Sequence, residues 1–219
     1  MILDEPYRKT SQHLCPATHQ ALDQGQYDIY PGFPIPEGLI FRGFAPLAQV
    51  LAGHKTVVMD GFGGVIWSDL RERLDSALRE LHLCPVWYNV ETALRSQEQI
   101  ASLIEPYMGG DDPLFGNRFQ GKLADFFDLE VLQSIQADPQ AQSDINILYG
   151  CGAALAGWEG ILVYVDVPKN EIQFRSRAGS IVNPGFDAPR SAKEMYKQFY
   201  FVDWVVLNQH KAELLSKID

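Results

Sequence analysis

The sequence predicts a three-layer α/β domain built on a parallel sheet of about five strands. Two observations carry that expectation: short, nearly continuous apolar runs of strand length, and amphipathic stretches of helical period between them. Strands that are apolar throughout belong to sheets covered by helices on both faces, and strand–helix alternation is how parallel sheets are connected. With 219 residues, 46% of them hydrophobic, the chain is long enough to bury a sizeable core.

Residues 1–54 are the least regular part. The run Tyr30-Pro31-Gly32-Phe33-Pro34-Ile35-Pro36-Glu37-Gly38 cannot hold a helix, because its prolines remove backbone donors and restrict the residues before them. It reads as an irregular N-terminal arm packed on the domain, with a short helix near Phe44–Ala52. From Lys55 the text becomes rhythmic. Thr56–Asp60 is the first buried-strand run, Gly61-Phe62-Gly63-Gly64 is a turn, and Leu70, Leu74, Ala77, Leu78 and Leu81 mark a helix. Pro85–Val90 is a second strand and Gln97–Met108 a second helix, broken by Gly109-Gly110-Asp111-Asp112-Pro113. Leu123–Gln136 reads as one helix, with Phe126, Phe127, Leu129, Leu132 and Ile135 on its apolar face. Ile145–Tyr149 and Gly160–Val167 are further strands, and Lys193–Lys217 is a closing helix. No repeat or linker divides residues 55–219, which read as one domain.

The charge balance narrows the function. With 28 acidic against 18 basic residues, the formal net charge of −10 argues against nucleic-acid binding as the main activity. No apolar run approaches the roughly 18–20 residues that span a bilayer, so no membrane partner is expected. Met1–Gln20 is polar, contains Asp4 and Glu5, and reads neither as a signal peptide nor as a transit peptide. Cys15, Cys84 and Cys151 are odd in number and far apart, which suits reduced thiols in a cytoplasmic protein. None of the five histidines (His13, His19, His54, His82 and His210) forms a paired ligand motif with a neighbouring glutamate, so no metal site is expected.

The segment that carries chemistry is Gly61-Phe62-Gly63-Gly64-Val65-Ile66-Trp67-Ser68, a glycine-rich turn between a buried strand and a helix. Such a turn can present backbone N–H groups to phosphate, and it can equally be a tight structural corner. Against the phosphate-loop pattern G-x-x-x-x-G-K-[ST], the first glycine and the serine are present, the second glycine is Ile66, and the lysine is Trp67. Asp60, at the end of the preceding strand, could orient a substrate or cap the turn. Asp166 ends another strand at the edge where α/β sites lie.

Taken in order, the segments from Lys55 to Asp219 resemble the uridine-kinase family of P-loop kinases. Ser143–Leu155 looks like that family's third strand, and Gly160–Pro168 like its next one. Arg175 and Arg177 follow near the family's lid arginines, and Asp112-Pro113 is similar to the stretch after its substrate-binding aspartate. Lys197–Asp219 resembles the closing helix, which in those kinases leads into a final strand. The resemblance implies a fold of the P-loop nucleoside-kinase type and phosphate-binding roles for Gly61, Gly63, Gly64 and Ser68. Substrate or lid roles fall to Asp60, Asp112, Asp166, Arg175 and Arg177, and the cofactor it admits is a nucleotide with magnesium. The departures matter more. Trp67 stands where the family has its lysine and Tyr149 where it has the acid beside magnesium, and a kinase missing both should be very slow or dead.

A narrower resemblance, through Gly150-Cys151-Gly152-Ala153, Val163–Asp166 and Phe201–Trp204, is to the kinase-like N-terminal region of large bacterial proteins that end in a type I mannose-6-phosphate isomerase. It implies a cupin isomerase partner in the same chain or complex, a role in carbohydrate-phosphate metabolism, and a chain continuing past Asp219. The expected function is therefore a degenerate kinase-like domain that binds, at most, a phosphorylated sugar or nucleotide. Two alternatives stay open: an active phosphotransferase using Lys55, Arg42 or Arg175 as a displaced cation, or a structural module.

Overall fold

The computed structural model describes residues 7–12, 23–29, 32, 35–112 and 114–218. Four strands, β1 (Thr56–Gly61), β2 (Pro85–Asn89), β3 (Ile145–Tyr149) and β4 (Ile161–Val165), form one parallel sheet in the order β2-β3-β1-β4. The expected fifth strand is not there among the described residues; after β4 the chain forms helices and loops only. The sheet order sets β1 between two strands that come later in the sequence. The turn after β1 thus lies at the carboxyl edge where chain connections diverge, the usual ligand position in such sheets.

Alternation along the strands separates two cores. On one face Val57, Met59, Ile145, Ile147 and Tyr149 pack against Ala48 and Leu51 of α1 (Phe44–Leu51) and Trp67, Leu74, Ala77 and Leu78 of α2 (Trp67–Glu80). On the other, Val58, Leu148 and Leu162 meet five helices: α3 (Gln97–Ile104), α4 (Leu129–Ser134), α5 (Lys169–Ala178), α6 (Ala192–Gln198) and α7 (Trp204–Leu214). Helix α2 shows how local chemistry supports this arrangement. Asp69–Arg73 and Asp75–Arg79 pair along its outer face, and His82 takes a φ of 60° just past its end, letting the N–H of Leu83 close onto the Leu78 carbonyl.

Three helical expectations need correction. Leu123–Gln136 is not one helix but a 3₁₀ turn at Leu123–Phe126 followed by α4. Phe127 turns extended to bridge Leu94, and the Asp128 carboxylate accepts the N–H groups of Glu130 and Val131, starting a new helix. Gln97–Met108 is α-helical only to Ile104, where a 3₁₀ turn containing Pro106 takes over. Lys193–Lys217 is interrupted by a π-helical turn at Phe199–Asp203.

Within residues 1–54, α1 is an integral part of the α2-side core. Residues 7–12 lie against α5: Ser180 donates to the Tyr7 carbonyl at 2.6 Å, and Arg8 pairs with Glu171 at 3.1 Å while its guanidinium sits over Phe174. Leu39, Ile40 and Phe41 are exposed. His13, Cys15 and His19 lie outside the described residues, as do Tyr30, Pro31, Phe33 and Pro34.

Candidate functional site

A cleft of about 830 Å³ opens at the carboxyl end of the sheet. Its walls are the turn 63–68, the loop 89–98 after β2, the turn 123–127 and the segment 180–187. This is the size range of small-molecule sites.

The turn is held by close packing. A Cβ on Gly61 would lie 2.8 Å from the Val165 carbonyl oxygen and 2.9 Å from the Trp67 ring, and Gly64 has a φ of 86° over Ile172. Phe62 N–H donates to Val165 at 2.8 Å, tying the turn to β4. From Gly63 to Asp69 the backbone N–H groups have no acceptor among the described residues, which gives the start of α2 a concentration of donors. Ser68 is exposed there. Trp67 is buried, its ring 5.9 Å from that of Tyr149, which in turn meets Trp87 edge-on at 5.6 Å. Asp75 accepts the Trp87 indole N–H at 2.9 Å, fixing the far end of the cluster.

Asp60 lies beneath the turn, fully buried. Its carboxylate accepts N–H groups from Gly61 (2.6 Å), Gly152 (3.0 Å) and Ala154 (2.8 Å), and pairs with His210 Nε2 at 2.8 Å. Those four partners tie β1, the loop after β3, and α7 together. Cys151, beside this knot, has its thiol pKa pushed up by burial and by the Asp60 charge.

Arg175 donates to the Gly64 carbonyl at 2.7 Å and to Glu171 at 3.0 Å, so it braces the turn from α5. Gly61, Gly63, Gly64, Ser68, Asp60 and Arg175 are thus gathered around one corner. Arg177 and Asp112 are not, Asp166 sits at the edge of that corner directly after Val165, and none of the three lines the cleft. Arg177 is exposed on α5. Asp112 closes a solvated turn by accepting from Leu114 and Phe115, bonds that hold its carboxyl below the usual range. Asp166 pairs with Lys211 of α7. Lys55 precedes β1 at the opposite end of the sheet, a strand length of roughly 20 Å from the turn. Arg42 is exposed just before α1.

Two features have no counterpart in the sequence reading. Arg71 and Arg95 both line the cleft. Arg71 was legible in principle, since it sits three residues after Ser68 on one helix face; Arg95 carries no such signal. Behind the 180–187 wall lies a buried polar network. Asp203 accepts from Asn183 at 2.7 Å and Gln198 at 3.0 Å, and Arg190 donates to the side-chain oxygens of both amides while stacking on Phe186. Burial raises the Asp203 pKa to about 7, against the opposing pull of those hydrogen bonds and of Arg190.

Sheet order, layers and cleft position define a domain of the P-loop nucleoside-kinase fold type. A solved structure, "putative fructose transport system kinase" from Silicibacter sp. TM1040, superposes with a TM-score of 0.50 at 16% identity, covering 78% of this chain and 95% of that one. At that identity the match concerns the fold alone. The chain belongs to the family described as domain of unknown function DUF8485, whose pattern matches residues 43–219. No curated protein matches the chain significantly. Neither match bears on the mannose-6-phosphate isomerase link, which rests on the sequence resemblance alone. Among the described residues, no helix is long and apolar enough to cross a membrane.

Proposed function

We propose that this domain is a kinase-like binding module, holding a small anionic ligand in the cleft without transferring phosphate. One observation carries the reading: Trp67 and Tyr149, the positions where the uridine-kinase resemblance has its lysine and its acid, are filled by two aromatic rings that pack on each other. A single substitution could be incidental. Two that fit together make a finished apolar corner, with no room for an ammonium group and no carboxylate for a metal. The remaining residues do not fit a magnesium nucleotide either. Asp60, the carboxylate nearest the turn, is fully occupied by the backbone and His210. What persists is the unpaired N–H array at the start of α2, which attracts anions without any side chain.

A coupled assay with ATP, magnesium and a panel of nucleosides and sugars tests the catalytic half. The expected result is no turnover, against the roughly 1–100 per second of working kinases. Clear turnover that disappears in Ser68→Ala would overturn it. The cupin isomerase partner has no support beyond the resemblance already described, and the binding reading does not depend on it.

A further inference from the structure

The cleft's charges narrow the ligand further. Arg95 is aimed by its Nε, which donates to the Phe127 carbonyl at 3.1 Å; its two terminal nitrogens have no partner among the described residues. A guanidinium anchored in that way presents the paired donors that grip a phosphoryl group in bidentate fashion. Arg71 faces the same space from α2 and makes no hydrogen bond within the described protein. Among the described residues those two are the only cationic side chains on the lining, and they share it with three carboxylates, Glu91, Glu98 and Asp187. N–H and hydroxyl donors at the start of α3 lower the Glu98 carboxyl pKa. Glu91 is positioned by Asn89, whose side chain accepts the Glu91 N–H at 2.9 Å and donates to its carboxylate at 3.4 Å.

Resting on the reading of the cleft as a ligand site, we infer that its ligand is a phosphomonoester of a small polyhydroxylated molecule, and not a nucleoside triphosphate. One phosphoryl group carries about 1.5–2 negative charges near neutral pH, which two arginines and the α2 donors can match. A triphosphate brings further charge into a site whose carboxylates outnumber its cations, with Trp67 where a third cation would be needed. Carboxylates beside a phosphate position are a cost unless the ligand offers donors, and hydroxyl groups are such donors. Glu91, already oriented by Asn89, is placed to accept them.

The test is calorimetric titration of the whole chain with glucose 6-phosphate and other hexose and pentose monophosphates, free glucose, inorganic phosphate, and ATP with and without magnesium. At least one sugar monophosphate should bind ten-fold or more tighter than inorganic phosphate, free sugar or ATP. Arg71→Ala should weaken that ligand about ten-fold; Arg71 makes no side-chain hydrogen bond and only an exposed charge attraction to Asp75, so folding is preserved. Glu91→Gln should weaken the sugar monophosphate and leave inorganic phosphate binding no weaker. ATP binding tighter than every monophosphate would overturn this inference while leaving the binding module intact. Inorganic phosphate binding as tightly as the sugar phosphates would overturn the polyol part. No binding by any of these probes at millimolar concentration would overturn the inference and the binding-module reading together.

Discussion

On the α1/α2 side the sheet is closed by apolar groups: aliphatic side chains inward, and the Trp67, Tyr149 and Trp87 rings at the carboxyl end. On the α7 side the same sheet meets buried polar groups, with Asp60 and His210 at the strand ends and Asn183, Gln198 and Asp203 behind the cleft wall, where half-buried Arg190 joins them. One strand feeds both, because Met59 and Asp60 point to opposite faces. The difference teaches where specificity resides. The apolar side sets which elements pack, whereas the polar side sets where loops stop, since each buried donor must find its particular acceptor.

Breaking the polar knot should have the largest effect. Asp60→Ala removes the acceptor of three backbone N–H groups and the partner of a buried histidine, and should cost about 4 kcal/mol in urea denaturation. A loss under about 1 kcal/mol would show that the loop after β3 is held by packing alone. Opening the apolar corner comes next. Trp67→Ala should cost about 3 kcal/mol, the transfer term plus the cavity left against Gly61 and Tyr149. Trp67→Lys should destabilise as well without creating kinase activity, because Tyr149 still occupies the acidic position.

The smallest effect sharpens the comparison through pH. The folded protein holds the Asp203 proton up to about pH 7, while the unfolded chain releases it near 3.8. Between those values the native state binds more protons, so its stability falls as pH rises through the window and levels off above it. Asp203→Asn should remove that slope, leaving Arg190 with the Asn183 and Gln198 amides. Denaturation midpoints of the two proteins, compared at about pH 5 and about pH 8, measure it. Parallel curves would mean that Asp203 is already ionised throughout.

The apolar half was the legible half. Strand runs locate β1 to β4 within a residue or two, because burial on both faces leaves a continuous apolar run, and the Leu74–Ala77–Leu78 spacing marks α2. Trp67 and Tyr149 were picked out as departures, but their contact joins residues 82 positions apart and has no local signature. The polar half stayed hidden for the same reason. Gln198 and Asp203 look like ordinary polar residues of an amphipathic helix, and only the fold turns them inward to meet Asn183. Arg175 reads as a lid cation because the sequence cannot show that the Gly64 carbonyl lies within reach of it. Asp128 gives the opposite lesson: a helix-capping residue stood in plain view inside an apolar run, and the period of that run concealed the break.

The π turn at Phe199–Asp203 gives the closing helical rod an odd length. A turn of this kind holds one residue more than the α-helix can seat, which rotates everything after it by about 100° about the axis. That offset lets Met195 and Gln198 face inward on one segment while Val206, Leu207 and His210 face inward on the next. Were the same residues wound as unbroken α-helix, half-buried Val205 and exposed Gln209 would swing toward the sheet in place of Leu207 and His210. In a stretch of otherwise ordinary helical text, side chains can be exchanged more freely than residues can be counted.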